Sequence, residues 1–463
     1  MSFPKDFVWG AAAASFQIEG AAAEDGKGLS VWDMRCKVPG KIWEGNTGEV
    51  ACDHYHRYAE DVALMAQIGL QAYRLSISWP RVLPAGVGAV NAKGLAFYDR
   101  LIDTLLQHNI QPWVTLFHWD FPHALFCRGG WLNRESADWF AEYTAVVVDK
   151  LSDRVAHWIT QNEQQCYIGF GHQTGENAPG LQLGFAEVLR AAHHTLLAHG
   201  KAVQVLRSRA KLSPTIGVAP VGVIRMPATN APADVAAAHA ATFALTGKNV
   251  WNNTWFGDPL VLGHYPEEGM RLFHKELPPI QSNDMATICQ PLDFYGTNIY
   301  FAEIVRTPPL RAVSPAPHKE EIDYEITSAF ANPALTAMSW PLTPEALYWG
   351  PKFLYERYKL PIVVTENGMA NCDWVHVDGK VHDPQRIDYL TRYLRAYGRA
   401  LAEGVAAKGY FVWSLMDNFE WAHGYGKRFG LVYVDYQTQQ RILKDSAFWY
   451  QQVIASHGAS LGE

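Results

Sequence analysis

Short apolar runs rich in β-branched and aromatic residues alternate along the chain with longer stretches of helical periodicity. The runs Phe7–Gly10, Ala72–Ser78, Pro112–Trp119, His157–Asn162, Ile216–Pro220, Phe294–Tyr300, Ile362–Thr365 and Tyr410–Leu415 read as strands. Ile-Val-Val-Thr and Trp-Val-Thr-Leu-Phe are apolar at nearly every position, as strands buried on both faces are. Between them, His54–Ile68 sets Tyr58, Val62, Met65 and Ala66 at helical spacing. Leu95–Gln107, Ser136–Leu151, Phe185–Arg207, Pro344–Tyr358 and Pro384–Glu403 repeat that pattern. Eight strands with helices between them predict an α/β fold, a (β/α)8 barrel with long βα loops. An open doubly wound sheet usually carries a Gly-rich phosphate turn after its first strand when it binds nucleotides, and Trp9–Gly10–Ala11 is not one. With no repeat and no linker, residues 1–463 read as one domain. The Pro-rich Thr307–Pro317 is expected to be an exposed loop, or a lid over the mouth because it follows the sixth strand.

Composition narrows the partners. A net charge of -7 argues against a nucleic-acid groove. No apolar run approaches the roughly 18 residues of a membrane span, and no leader pattern precedes the first strand, so a cytoplasmic location is expected. Six scattered Cys without metal spacing read as reduced thiols. No metal and no cofactor are expected, and oligomeric state is left open. The His54-x-His56 pair and the adjacent His193 and His194 lack ligand partners at metal spacing and read as surface or helix-packing residues. Aromatic content is high, 13% with 17 Trp, which suits either plain core or a site for flat sugar faces.

Polar residues interrupt the apolar strands at their C-terminal ends. Arg74 lies on the second strand. The third ends in Phe117–His118–Trp119–Asp120 and the fourth in Thr160–Gln161–Asn162–Glu163. The sixth ends in Thr297–Asn298–Ile299–Tyr300, and the seventh in Thr365–Glu366–Asn367–Gly368. The eighth carries Trp413 and runs into Asp417–Asn418–Phe419–Glu420–Trp421. In a barrel these ends converge on one face, where active sites are built. Glu163 and Glu366 then face each other across a crevice, the minimum apparatus for glycoside hydrolysis. An ion pair between each Glu and a barrel Arg would account for the same spacing.

In this order these motifs resemble glycoside hydrolase family 1, the β-glucosidase family, over nearly the whole chain. The resemblance also rests on Phe7–Val8–Trp9–Gly10, Ser15–Phe16–Gln17–Ile18–Glu19–Gly20, Tyr73–Arg74–Leu75–Ser76–Ile77–Ser78–Trp79–Pro80–Arg81 and Gly130–Trp131–Leu132–Asn133–Arg134. It implies that Glu366 is the nucleophile and Glu163 the acid/base of a retaining enzyme, with carboxyls about 5–5.5 Å apart. Arg74, Asn298 and Tyr300 would support the nucleophile, Arg74 by lowering its pKa and Tyr300 by donating a hydrogen bond. Gln17, His118, Asn162, Glu420 and Trp421 would hold the non-reducing sugar. Trp413 would stack on its apolar face, Phe429 would pack at the wall, and Trp340 would be the platform for the leaving group. Asp120 and Glu19 would be supporting partners, and Trp32, Trp131, Trp139, Trp158 and Trp449 packing residues. The implied substrate is a small β-glycoside or oligosaccharide, glucose first, with galactose and fucose next. The rivals are an endo-glucanase and a sugar-binding relative without catalysis.

The sequence departs from the family in three places. Asn162–Glu163–Gln164 has Gln where the family has Pro, Asn298–Ile299–Tyr300 keeps only the second Tyr, and Gly171–His172 replaces Gly-Tyr. Relatives acting on 6-phosphorylated sugars use Ser and Lys beside the last strand's loop. Glu420 in that place would repel a phosphate, so unphosphorylated sugars are expected. Thioglucosidases carry Gln where Glu163 stands, which argues against that activity.

Overall fold

The computed structural model describes residues 2–307, 325–327 and 334–462. Most of the Thr307–Pro317 stretch lies outside the described residues, as does Lys319–Glu320–Glu321, whose charges read as a solvated loop. Eight strands close into a parallel barrel: β1 (Val8–Ala12), β2 (Ala72–Ser76), β3 (Gln111–Phe117), β4 (His157–Asn162), β5 (Thr215–Ala219), β6 (Phe294–Asn298), β7 (Ile362–Asn367) and β8 (Ala407–Trp413). They follow one another around the barrel in chain order, and β8 closes onto β1 with Val8 opposite Gly409 and Ala12 opposite Trp413. Each predicted strand is one of these, with ends shifted by a few residues. The helices His54–Ile68 and Ser136–Leu151 have the predicted bounds, whereas Phe185–Arg209 runs two residues further.

The barrel is filled, not hollow. Trp113 of β3 meets Phe294 of β6 at 5.4 Å and Phe411 of β8 at 5.1 Å between ring centres. These strands are not neighbours, so their rings can meet only inside the barrel, where Ala72, Ile159 and Val363 join them. This apolar floor sits below the polar mouth. Gly10 lets β1 approach: a Cβ there would lie 2.5 Å from the Phe411 ring.

Two elements near the mouth carry no periodic signal. A small sheet of Ile224–Pro227, Ala302–Arg306 and Glu325–Thr327 lies beside β6, and a hairpin pairs Val432–Val434 with Arg441–Leu443. The strands are three to five residues long, too short for period-two alternation to stand out. Helices Pro232–Phe243 and Asp445–Ala455 were also not anticipated.

Candidate active site

Strict alternation along β4 from Ile159, which faces the lumen, would aim Gln161 inward and Asn162 outward. The pairing of β4 with β5 shifts register between Ile159 and Asn162. As a result Asn162 reaches into the mouth, and Gln161 instead donates to the Thr195 carbonyl on helix Phe185–Arg209, at 3.0 Å. On β7 the pairing with β6 shifts between Val364 and Glu366, which turns Glu366 inward. Both carboxylate-bearing strand ends are thus re-aimed by local irregularities, a known use of bulges beside active sites. Glu163 is one residue beyond β4. It adopts a left-handed backbone, φ 51° and ψ 68°, at the start of helix Gln164–Ile168. Gly368 gives β8 room beside β7, since a Cβ there would lie 1.8 Å from the Trp413 carbonyl oxygen.

One hydrogen-bonded set joins the two carboxyls. Arg74 donates Nη1 to Glu366 Oε1 at 2.6 Å and Nη2 to Asn162 Oδ1 at 2.6 Å. Asn298 Nδ2 donates to Asn162 Oδ1 at 3.0 Å and to Glu163 Oε1 at 2.8 Å. Thr365 Oγ1 donates to Asn298 Oδ1 at 2.6 Å and so fixes which way that amide faces. Tyr300 OH donates to Glu366 Oε2 at 2.6 Å, while its own carbonyl accepts from Tyr389 and Tyr393. All of these side chains but Tyr300 are buried, and Tyr300 is half-buried.

Electrostatics follow from this burial. Desolvation raises Glu163 well above an ordinary carboxyl and the charge of Glu366 adds to it, while hydrogen bonds from Asn298 and the Cys166 thiol oppose it. Glu366 is raised as well. Burial outweighs Arg74, which lowers it as expected, and Tyr300 and Asn298, which lower it too. Glu420 is pushed up to about 8 by burial and by the charges of Glu366 and Glu163. Burial and the Arg74 charge hold His118 well below its usual range, so its ring is neutral. Asn162 Nδ2 lies 3.0 Å from His118 Nε2. The amide must donate there, which leaves the ring proton on Nδ1.

The remaining sequence-predicted residues gather around this centre. Gln17 Nε2 donates to Asn418 Oδ1 (3.0 Å), the Phe419 carbonyl (2.9 Å) and Glu420 Oε2 (3.4 Å). Its Oε1 is buried without a protein partner. Trp413 stacks on His118 at 5.7 Å, and Trp340 lies against Tyr300 at 5.0 Å and Phe429 at 6.1 Å. Trp421 stacks on Trp119 at 4.6 Å and leans on Trp32 at the same distance. Trp32, set aside as packing, therefore backs a mouth residue. Trp119 was not singled out. It donates Nε1 to the Asn162 carbonyl at 3.0 Å, and its place between His118 and Asp120 was the available signal. Trp119, Glu163 and Trp421 all have positive φ, as does Ser339 beside Trp340. Such conformations cost about 1–3 kcal/mol each and cluster where the surroundings enforce them for function.

Glu19 accepts from Arg81 at 2.8 Å and from Tyr98 at 2.6 Å, and Asp120 accepts from Ser15 at 3.2 Å, both as supporting partners. His54 bonds Asp61 at 2.7 Å, His193 bonds Tyr265 and Asp284, and His194 bonds the Trp131 carbonyl. These imidazoles pack helices, away from the mouth.

The sequence profile of glycosyl hydrolase family 1 matches residues 1–459. β-Glucosidase A of Thermotoga maritima is 45% identical over 458 residues, 98% of either chain. A bifunctional β-D-glucosidase/β-D-fucosidase of Bifidobacterium breve is 42% identical over 476 residues, covering 99% of each. The solved structure of the Thermotoga maritima β-glucosidase in complex with glucoimidazole superposes with a TM-score of 0.88 at 44% identity, over 99% of both chains.

Proposed function

From the fact that this chain belongs to glycosyl hydrolase family 1, we propose that it is a retaining, exo-acting β-glucosidase. It removes terminal non-reducing β-D-glucosyl residues from short oligosaccharides and aryl or alkyl glycosides, with β-galactosidase and β-fucosidase activity beside. The observation that carries this reading is the shared set Arg74–Asn162–Asn298, which reaches Glu366 at one end and Glu163 at the other.

Glu366 attacks the anomeric carbon as the carboxylate, which Arg74 and Tyr300 stabilise. Glu163 gives its proton to the departing glycosidic oxygen, and a glycosyl ester forms on Glu366. The ester carries no charge, so the repulsion that raised Glu163 vanishes and Glu163 becomes a stronger acid. It is then ionised when a water must be deprotonated, and that water attacks the anomeric carbon and displaces the Glu366 carboxylate, with net retention.

The other residues orient the sugar. His118 offers Nδ1–H and Gln17 its unpartnered Oε1, while Glu420 accepts from hydroxyls near C4. Asn162 reaches the 2-hydroxyl, Trp413 covers the apolar face of the ring, and Phe429 walls the pocket. Trp340, packed on Tyr300 and Phe429, faces the leaving group. The whole chain acts as one catalytic domain, in carbohydrate metabolism and the last stage of cellulose degradation, in the cytoplasm. The Bifidobacterium relative's two activities support a pocket tolerant at C4 and C6.

A panel of aryl β-glycosides differing only in sugar epimer tests the reading, run on wild type, Glu366→Ala and Glu163→Ala. Both variants are expected to lose turnover on the glucoside, and azide is expected to rescue Glu366→Ala with formation of the α-glucosyl azide. Normal turnover by Glu366→Ala would refute the assignment.

A further inference from the structure

Gln164 occupies the place where the family carries a proline that restricts the residue before it, here Glu163. We infer that Gln164 is a positioning residue that replaces this restraint with a side-chain tie, holding Glu163 in line for proton transfer through Gln161 and Tyr167. The inference rests on the reading of Glu163 as the acid/base.

The backbone of Glu163 is already held on both sides. Its N–H donates to the Ala219 carbonyl at 2.8 Å, and its carbonyl accepts from Cys166 N at 3.0 Å. Its left-handed φ of 51° is one that a side-chain-bearing residue rarely adopts. The turn that follows must therefore be held from outside. Gln164 Nε2 donates to Gln161 Oε1 at 3.2 Å, and Tyr167 OH donates to the same oxygen at 3.2 Å. Gln161 in turn donates to the Thr195 carbonyl on helix Phe185–Arg209. The register shift on β4 that brings Asn162 to the mouth is also what sends Gln161 to this helix. One irregularity thus aims a sugar-binding amide inward and supplies the anchor for the turn carrying Glu163.

Chemistry separates this role from plain packing. Gln161 Oε1 already accepts from Tyr167, so Gln164 must present its N–H end, and its own Oε1 is left buried without a partner. A desolvated, unpartnered acceptor lowers stability. An apolar side chain of similar shape would pack there at less cost, so the amide at this position works against stability, as expected of a group with a task.

The test is kcat/KM across aryl β-glucosides of graded leaving-group pKa, with melting temperature, for wild type, Gln164→Met, Gln164→Pro, Gln161→Met and Glu163→Ala. Gln164→Met is expected to melt no lower than wild type and to lose about tenfold on poor leaving groups, the kind of loss a small misplacement causes. It should lose little on dinitrophenyl glucoside, which needs no acid. Gln161→Met should show the same selectivity, and Gln164→Pro should restore the wild-type dependence. A wild-type dependence in Gln164→Met, or an equal loss on all substrates with a lower melting temperature, would overturn the inference while leaving the function intact. If Glu163→Ala itself showed no steeper dependence on leaving group, the reading of Glu163 would fall and the inference with it.

Discussion

Arg74 and Glu366 meet at 2.6 Å with both side chains shut away from solvent, on strands that are not neighbours in the barrel. The contact spans the mouth and joins the fold's stability to the charge on the proposed nucleophile. Removing the guanidinium strands a buried carboxylate. Arg74→Ala is expected to lose about 3–5 kcal/mol of folding free energy, measured by denaturant unfolding at neutral pH. Because Arg74 lowers the Glu366 pKa, the acid limb of the pH–rate profile of any residual activity should move to higher pH. An unshifted acid limb would show that Arg74 does not tune the nucleophile.

Tyr300 is the second support of Glu366. Tyr300→Phe removes the hydroxyl that lies 2.6 Å from Oε2 and leaves the ring on Trp340. A hydrogen bond to a charged group is worth about 1.5–3 kcal/mol, which corresponds to a fall of about 10- to 150-fold in kcat. Steady-state rates on an aryl glucoside read this directly. A rise in KM with kcat unchanged would place Tyr300 in binding only.

Burial makes the folded chain hold the Glu163 proton more tightly than the unfolded chain does. The stability this contributes is complete below the unfolded pKa and is lost as pH rises through the folded one. Glu163→Gln has no proton to give up, so it should melt above wild type by a margin that widens from about pH 5 to about pH 8. Thermal melts across that range check it, and a margin that stays constant would contradict the raised pKa.

Most of the barrel was legible because its strands are buried on both faces and therefore apolar up to their C-terminal ends, as the Ile-Val-Val start of Ile362–Asn367 is. Glu163, Glu366 and Arg74 stood out because charge is costly after such runs. The register shifts on β4 and β7 were not legible. They depend on pairing between strands far apart in sequence, and no local pattern announces that Asn162, and not Gln161, faces the mouth. The supporting role of Trp32 was hidden for the same reason, since nothing near it in sequence indicates Trp421. The strands Val432–Val434 and Arg441–Leu443 are simply too short to register.

On the proposed reading, Glu420 would disfavour 6-phosphorylated sugars. It is buried beside Gln17, where burial and the neighbouring carboxylates hold its proton up to about pH 8; once it ionises above that, a phosphate near it would meet like charge in a dry site. Above about pH 8, where Glu420 is ionised, the aryl β-glucoside is expected to be cleaved at least about 10³-fold faster than its 6-phosphate, since like-charge juxtaposition costs several kcal/mol. Comparable kcat/KM values for the two would refute this role.

The account depends most on Glu366 becoming covalently bonded to the sugar. A dinitrophenyl 2-deoxy-2-fluoro-β-glucoside slows both chemical steps through the fluorine and hastens the first through its leaving group, so that a glycosyl-enzyme accumulates. Mass spectrometry of the intact protein and of its peptides should then find one fluoroglucosyl group per chain, bonded to Glu366. An adduct on any other residue, or steady turnover of ordinary glucosides to the inverted anomer with no adduct, would contradict the mechanism.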